Sequence, residues 1–216
     1  MTDTSTKYDQ LAEKFAERSY SNLSFYMHRR CVMTTTWGVT MQPGDTVLEL
    51  GCGDGYLAQL LLQRGVHYRG LDISQGMIAM AEQRVRAAGL AANATFVVTD
   101  IQNVFLTEPF DIIVSYMRTF FAYMHEPGAV LQRLHPWVRK KLIIDLDPRR
   151  DLSLREALAL LSRAGFRHVT WRPFFVPQDK HLPLWFLRAL CACEGLPFVR
   201  TIPLRWKFHC LLKAEP

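Results

Sequence analysis

Three glycines on alternate positions follow a short apolar run in the sequence VLELGCGDGYLAQL, which extends from Val47 to Leu60. The run TVLEL at 46–50 has the composition of a buried strand, and the residues after Gly55 have the apolar spacing of a helix. A turn with three glycines within five residues lets a ligand lie against the backbone. The amide N–H groups of the turn can then point toward that ligand. The stretch therefore predicts a strand, a ligand-binding turn and a helix.

Strand-like and helix-like segments alternate along the rest of the chain. We predict further strands at 67–72, 94–100, 109–116, 140–147, 166–176 and 205–215. We predict helices at 8–20, 56–64, 74–89, 128–138, 153–165 and 182–193. Strands that alternate with helices favour parallel pairing through crossover connections. The pattern is typical of an α/β fold with a doubly wound sheet, in which ligands bind beyond the carboxyl ends of the strands.

Length and composition favour one domain. The chain has 216 residues, of which 49% are apolar, enough to build a core. Its first residues, MTDTSTKYDQ, lack the apolar centre of a signal peptide, and no apolar run approaches the ~20 residues of a membrane-spanning helix. Five cysteines are an odd number in a chain of this size, so we expect no disulfide framework. These features predict a cytoplasmic protein.

The net charge of +6 is unevenly distributed. Residues 1–100 carry 9 Lys and Arg against 10 Asp and Glu, whereas residues 101–216 carry 17 against 10. Such an excess could attract an anionic small molecule, RNA or an anionic membrane surface, or it could be a solvated face. Its arginines are scattered rather than interleaved with aromatic residues, which favours a small-molecule acceptor over RNA or a membrane. We expect no DNA partner, and the oligomeric state is left open.

Two cofactor classes use a glycine-rich turn in this position. A dinucleotide fingerprint reads G-x-G-x-x-G/A, and its sixth position counted from Gly51 is Tyr56. Counted from Gly53, the pattern is complete at Ala58. In that register, however, the first glycine lies two residues farther from the end of the strand. A nicotinamide-dependent oxidoreductase is therefore an alternative, and so is a non-catalytic module that only binds the cofactor.

The run ELGCGDG, from Glu49 to Gly55, resembles the nucleotide-binding loop of class I S-adenosylmethionine-dependent methyltransferases. The run LDIS, the run TDIQ at 99–102 and the run FDIIVSY at 110–116 resemble later motifs of that family. The four occur in the family's order and at similar intervals, within roughly residues 8–147. The resemblance implies S-adenosylmethionine as the cofactor and methyl transfer as the reaction.

The resemblance also implies a fold and a division of the chain. We expect a mostly parallel seven-stranded sheet with helices on both faces, an antiparallel last strand and a cap-like insert before it. The single domain 1–216 would consist of a helical lid (1–40), a cofactor-binding core (41–173), an acceptor-side insert (174–205) and a final strand (206–216).

The family's cofactor site carries over to a set of residues in this chain. Asp72 would accept hydrogen bonds from ribose hydroxyls, because an ionised carboxylate only accepts. Glu49 would hold the cofactor's amino group, and Asp100 would lie near the amino group of the adenine. The full predicted set comprises Tyr8, Tyr20, Glu49, Gly51, Cys52, Gly53, Asp54, Gly55, Asp72, Ile73, Met77, Asp100, Ile101, Gln102, Ser115 and Tyr116. The two tyrosines belong to residues 8–30, which would either close over the cofactor or pack on the sheet edge.

An acceptor pocket is expected beside strand four. We predict that Met117, Arg118 and Phe121 line it together with Trp185 of the insert, around a small molecule with an apolar body. The run LPLWFLRALCAC at 182–193 would form an amphipathic helix that either roofs the acceptor or packs on the sheet. Its predicted buried face comprises Leu182, Trp185, Phe186, Ala189 and Leu190.

No residue stands out as a general base. Methyl transfer by in-line displacement depends mainly on alignment, and a base is needed only where the acceptor carries a proton that it does not lose by itself. Asp145 and Asp147 share one strand face, and they would either orient an acceptor or pair with nearby arginines. Cys191 and Cys193 have no His or Cys cluster near them in sequence, so we expect no metal. The base candidates are Tyr116, His125, Asp147 and His181.

Overall fold

The structure is a computed structural model of the chain, and it describes residues 6–9, 22–176, 182–201 and 209–216. Within these ranges seven strands form one sheet. They are β1 (Thr46–Leu50), β2 (His67–Asp72), β3 (Ala94–Val98), β4 (Phe110–Ser115), β5 (Val138–Leu146), β6 (Arg167–Phe174) and β7 (His209–Glu215). Their order across the sheet is β3-β2-β1-β4-β5-β7-β6. β7 pairs antiparallel with both β5 and β6, and the other pairs are parallel. The predicted fold class is confirmed.

Helices cover both faces of this sheet. They are α1 (Asn22–Met33), α2 (Tyr56–Leu62), α3 (Gln75–Ala87), α4 (Thr119–Tyr123), α5 (Pro127–Leu134), α6 (Leu154–Arg163) and α7 (Leu184–Cys193). Local signals set several ends: the Ser74 hydroxyl accepts from the N–H of Met77 at the start of α3, and Ser153 and Glu156 form a capping box on α6. Residues 6–9 are also helical, and the rest of the helix predicted at 8–20 lies outside the described residues.

The helix predicted at 128–138 is wrong at its carboxyl end. α5 stops at Leu134 and is followed by a tight 3₁₀ turn, His135–Trp137. Pro136 lies inside that turn, and its ring and missing N–H are incompatible with a continuing α-helix. β5 can therefore begin at Val138, two residues earlier than predicted.

Alternate residues of the central strands pack into two separate cores. Leu48 and Leu50 of β1 face a core that includes α5 and α6, whereas Val47 faces a core that includes α1, α2 and α3. Because both faces are covered, the inner strands are almost continuously buried. The polar groups of these strands therefore gather beyond their carboxyl ends, where the loops after β1, β2, β4 and β5 meet. We call this edge the carboxyl rim.

The insert helix α7 packs by a different face from the predicted one. Leu187 is buried, whereas Trp185 and Phe186 are 71% and 39% exposed. Glu194, seven residues after Leu187, is buried and accepts from Arg29 of α1 at 2.7 Å and from the N–H of Phe175 at 2.8 Å. This polar anchor fixes the inward face of the helix. No helix within the described ranges is both long enough and apolar enough to cross a membrane.

Candidate functional site

The glycine turn between β1 and α2 has a left-handed backbone at each of its three glycines. The φ angles are 78° at Gly51, 54° at Gly53 and 74° at Gly55, a region that residues with a Cβ adopt only at a cost. The N–H groups of Gly51 and Cys52 donate to the carbonyl of Leu71, at 2.8 and 2.9 Å. These bonds hold the turn against the end of β2, so the two strand ends share one part of the carboxyl rim.

The three glycines lack a side chain for different reasons. A Cβ on Gly55 would lie 2.8 Å from the Cα and Cβ of Ala81 in α3, and a Cβ on Gly51 would clash with the methyl group of Thr119. These two absences allow close packing within the protein. Among the described residues, none lies within 4 Å of the position that a Cβ on Gly53 would take. The space in front of Gly53 therefore has room for a ligand that approaches the backbone.

The carboxylate of Asp72 borders the same space. Its Oδ2 accepts from the N–H of Gly53 at 2.8 Å and its Oδ1 from the N–H of Ser74 at 3.0 Å. Burial raises the pKa of Asp72 above its usual value, although these backbone hydrogen bonds oppose the shift. Each carboxylate oxygen keeps a lone pair, so the group can accept two further hydrogen bonds. The arrangement fits a ligand with a pair of hydroxyl groups.

Residues 6–9 contact the rim on both sides of Asp72. Asp9 accepts from the Ser74 hydroxyl at 2.6 Å and from the N–H of Gly76 at 3.0 Å. The hydroxyl of Tyr8 lies 2.7 Å from that of Tyr123. Burial, the bond to Tyr123 and the nearby charge of Asp72 all raise the pKa of Tyr8. This short segment therefore spans the rim from the start of α3 to the end of α4.

The loop after β3 forms another part of the rim. Asp100 caps a 3₁₀ turn, Ile101–Asn103, by accepting from the N–H of Gln102 at 2.9 Å. Ile101 is buried, as is Met77 on α3. The side-chain oxygen of Gln102 accepts from the N–H of His125 at 3.0 Å, so this loop is tied to the one after α4.

The loop after β4 contains an unusual backbone. Met117 and Arg118 have φ angles of 62° and 63°, although neither is glycine. Asp145, at the end of β5, accepts from the N–H of Arg118 at 2.9 Å and so holds the loop in place. Consecutive left-handed residues of this kind persist only where the surroundings enforce them, often at functional sites. The sequence contains no signal for this feature.

Solved structures with this architecture are known. A putative methyltransferase of Haloferax volcanii, in complex with the Trm112 methyltransferase activator, superposes with a TM-score of 0.70 at 18% identity and covers 98% of this chain and 96% of that chain. Magnesium protoporphyrin IX methyltransferase of Synechocystis, with bound S-adenosylmethionine, superposes with a TM-score of 0.64 at 19% identity, over 90% and 79% of the two chains. At sequence identities this low, the similarity concerns the fold alone.

Sequence comparison finds similarity to methyltransferases. Residues 47–141 match a family described as a methyltransferase domain. A malonyl-[acyl-carrier protein] O-methyltransferase of Anoxybacillus flavithermus is 29% identical over 126 residues, which are 57% of this chain and 46% of that protein. The matched residues, which are less than half of the chain, are similar to a methyltransferase domain, in agreement with the resemblance of the sequence motifs to the class I S-adenosylmethionine-dependent methyltransferases. It spans less than half the length of the curated relatives that it matches.

Several of the predicted cofactor residues have their side chains engaged elsewhere. The Ser115 hydroxyl is buried and donates to the carbonyl of Leu50 at 2.8 Å, which ties β4 to β1. The Cys52 thiol is buried against Gly70. Asp54 accepts from Arg84 at 2.6 Å. Only the backbone of these residues is placed to border a ligand at the rim.

Tyr116 is a poor general base. Its phenol is fully buried, contacts the Thr34 hydroxyl and lies beneath the guanidinium of Arg30. Burial raises the pKa of Tyr116 above its usual value. The side chain therefore belongs to the core on the α1 face of the sheet, a setting that does not favour Tyr116 among the base candidates.

The other base candidates are also badly placed among the described residues. Burial alone would raise the pKa of Asp147, but two hydrogen bonds from Arg149 outweigh it and hold the pKa below its usual value. His125 is an exposed loop residue, and His181 lies outside the described residues. The described ranges also contain no cluster of three His, Cys, Asp or Glu that could hold a metal.

The predicted acceptor wall is only partly present. Phe121 is buried in the core beside Phe120 instead of facing the rim. Trp185 is exposed on α7, whose buried face is formed by Leu187 and Glu194, so the structure does not favour its assignment to the pocket. Arg118 does lie at the rim, and Met117 is half-buried beside it. Tyr20 is outside the described residues.

Sequence reasoning missed a buried ion pair below the rim. Arg30 of α1 and Asp145 are both fully buried, with Nη2 and Oδ2 2.9 Å apart. The guanidinium carbon of Arg30 lies 4.6 Å from the ring centre of Phe174. His209 is adjacent, and burial together with the charge of Arg30 lowers its pKa to about 3, so it is neutral. In the sequence Arg29 and Arg30 look alike, and nothing local marks the second as buried.

Glu49 is also buried, beneath the glycine turn. Its Oε2 accepts from the Tyr68 hydroxyl at 2.5 Å. Burial raises the pKa of Glu49 to about 8, and the nearby carboxylates of Asp72 and Asp54 act in the same direction. The carboxyl group is thus protonated over much of the neutral range, unless a cation approaches it.

Glu49→Gln should remove a pH dependence of stability. The pKa of Glu49 is about 8 in the folded protein against the ordinary 4.5, so the folded state binds the proton more tightly. The free energy of unfolding should therefore fall as pH rises from 4.5 to 8. Over that interval the advantage of Glu49→Gln over the wild type should grow by roughly 3–5 kcal/mol, at 1.36 kcal/mol per pKa unit.

Denaturant unfolding across this pH range checks the expectation. Glu82→Gln is the control, because Glu82 is exposed on α3 and its loss should not change the slope. An unchanged slope in Glu49→Gln would show that the buried carboxyl does not hold the proton.

Proposed function

We propose that the protein transfers a methyl group from S-adenosylmethionine to a small molecule. The open space in front of Gly53, beside the Asp72 carboxylate, carries the proposal. The match of residues 47–141 to a methyltransferase domain supports it, and so does the magnesium protoporphyrin IX methyltransferase of Synechocystis, a structural neighbour with bound S-adenosylmethionine. The cofactor would supply a methyl group on a sulfonium, which is electrophilic without any help from a metal.

The residues present fit this cofactor. Gly53 would let the ligand approach the turn, and Asp72 would accept from the ribose hydroxyls with its remaining lone pairs. The buried Ile101 and Met77 would pack near the adenine, with Asp100 beside it. Glu49, below the turn, would favour the positively charged end of the cofactor once ionised. The protein's main contribution would be to align the reacting groups.

Residues 6–9 are proposed to be part of a lid. Asp9 bridges to the start of α3 and Tyr8 to α4, so the segment crosses the rim above Asp72. A closed lid would exclude water from the reacting groups. The rings of Tyr8 and Tyr123, together with Arg118, would then border the acceptor. This setting suits a small molecule with an apolar body better than a nucleic acid strand.

Calorimetry tests the proposal directly. The wild type should bind S-adenosylhomocysteine and should not bind NAD(H) or NADP(H). Asp72→Ala should weaken that binding by about 1–3 kcal/mol, because its hydrogen-bonding partners are left unpaired. Asp111→Ala is the control, since Asp111 lies at the opposite edge of the sheet, bonded to Thr46. Binding of a nicotinamide cofactor alone would overturn the proposal, and unchanged affinity in folded Asp72→Ala would remove Asp72 from the site.

The same complex tests the lid. Amide hydrogen exchange at residues 6–9 should slow when S-adenosylhomocysteine binds, together with exchange in the glycine turn. Protection of the turn without protection of 6–9 would contradict a lid.

A further inference from the structure

Arg118 occupies the part of the carboxyl rim that an acceptor has to reach. The next residue, Thr119, packs against Gly51 of the glycine turn so closely that a Cβ there would clash. The phenol of Tyr8 lies near enough to Arg118 and to Asp72 for both charges to shift its pKa. Arg118 is therefore beside the proposed position of the cofactor, on the side away from β2 and β3.

The guanidinium of Arg118 is oriented with part of its hydrogen-bonding capacity unused. Its Nε and Nη2 donate to the carboxylate of Asp151, at 3.0 and 2.5 Å. The Asp151 side chain is 1% exposed, whereas that of Arg118 is 26% exposed. Among the described residues, nothing accepts a hydrogen bond from Nη1 of Arg118. A guanidinium fixed on one edge presents its other N–H groups in a planar arrangement that matches a carboxylate.

The backbone shows that this position is enforced. Arg118 is left-handed and follows another left-handed residue, Met117, and this conformation costs free energy for any residue other than glycine. The N–H of Arg118 is held by the buried carboxylate of Asp145. A glycine would adopt the same turn with less strain, but it would lack the side chain that pairs with Asp151 at the rim.

The described base candidates also favour an acceptor that arrives without a proton. Tyr116 is buried on the α1 face, Asp147 is held ionised by Arg149, and His125 is in an outer loop. An ionised carboxylate needs no base, because its oxygen is already a nucleophile. This argument and the position of Arg118 are independent of each other.

We propose that the acceptor is a carboxylic acid held by Arg118 and that the product is its methyl ester; this rests on the proposed function. A carboxylate oxygen attacks the methyl carbon as the carbon–sulfur bond breaks. The electron pair of that bond stays on sulfur, which leaves S-adenosylhomocysteine. No proton is transferred and no oxidant is needed. Arg118 orients the carboxylate, with Asp151 as the residue that positions the guanidinium.

The experiment uses the full chain, cofactor labelled with tritium in the methyl group, and a small-molecule extract of the source cells. Methyl esters release labelled methanol under mild alkali, whereas methyl ethers, methylamines, C-methyl products and methyl phosphates keep the label. We expect most of the transferred label to become volatile. Label that stays bound after alkali would overturn the inference but leave the proposed function standing. No transfer by a protein that binds S-adenosylhomocysteine would contradict the proposed function, and the inference with it.

Variants then test the residue. Arg118→Gln should lower volatile label by about 10- to 100-fold, the value of a charge-assisted hydrogen bond, with unchanged S-adenosylhomocysteine affinity. Arg118→Lys keeps the charge without the planar fork and should recover part of the loss. The double variant Arg118→Gln/Asp151→Asn leaves no unpaired carboxylate, so it should fold. Its methyl transfer should remain as low as that of Arg118→Gln. The control Arg69→Lys alters an arginine paired with Glu108 on the surface and should leave transfer unchanged. Full activity in Arg118→Gln would overturn the assignment.

Discussion

Gly53→Ala should fold and lose its cofactor, whereas Gly55→Ala should be severely destabilised. At Gly55 the backbone is left-handed, with φ 74°, and a Cβ would lie 2.8 Å from the Cα of Ala81. Left-handed strain of about 1–2 kcal/mol and overpacking of about 1–3 kcal/mol would act together. Neither α2 nor α3 can move away freely, because both are packed on the same core.

Gly53→Ala carries the strain without the clash. Its φ is 54° and no described residue lies within 4 Å of where a Cβ would be, so the loss of stability should be only about 1–2 kcal/mol. The methyl group would instead occupy the space proposed for the cofactor. Binding of S-adenosylhomocysteine should fall by at least roughly tenfold, equivalent to about 1.4 kcal/mol.

Gly89→Ala is the matched control for both variants. Gly89 follows α3, has φ 71° and also has open space where a Cβ would be. It should lose as much stability as Gly53→Ala and keep full affinity. Thermal unfolding and calorimetry on the three variants separate the effects. Normal binding by Gly53→Ala would show that the open space is not the cofactor's.

Arg30→Met should destabilise the protein by about 3–5 kcal/mol, the usual result of removing one partner of a buried ion pair. In this variant the fully buried carboxylate of Asp145 would still accept a hydrogen bond from the N–H of Arg118. It would, however, lack the guanidinium with which it forms an ion pair. Burial already raises the pKa of Asp145 against the opposing effect of Arg30. Without Arg30 that pKa should rise further, so the variant should lose more stability at pH 8 than at pH 5.

Two comparisons make this result specific. Arg30→Met/Asp145→Asn removes both charges and should recover most of the loss. Arg69→Met breaks the exposed pair with Glu108 and should cost less than about 1 kcal/mol. Denaturant unfolding at both pH values measures all three variants. A loss in Arg30→Met no greater than that in Arg69→Met would mean that the buried pair contributes little.

The sequence predicted best where local chemistry decides the structure. β1 and β2 have the predicted bounds, 46–50 and 67–72, because each is an apolar run bounded by turn residues. α6 begins where Ser153 and Glu156 predict a capped helix. The glycine turn was also readable, since few residues other than glycine adopt three left-handed positions in such a short stretch.

Prediction from the sequence was least accurate where contacts between residues far apart in the chain determine the structure. The orientation of α7 depends on Glu194 meeting Arg29, which is 165 residues away. The two left-handed residues after β4 depend on Asp145, from another strand. Their sequence, Met-Arg, favours no such turn, and only the assembled rim supplies the carboxylate that holds it. The shape of the rim after β4 therefore could not be predicted from the sequence.

The contact between Gly51 and Thr119 matters to anyone who would redesign this protein by directed evolution. The methyl group of Thr119 fills the volume that a side chain on Gly51 would need. A bulkier residue at 119, introduced to reshape the acceptor side, would press on the glycine turn and distort the cofactor side as well. Libraries aimed at new acceptors are therefore better placed at residues 8 and 123, whose aromatic rings meet edge to face at the rim. There, selectivity can change while the turn keeps its shape.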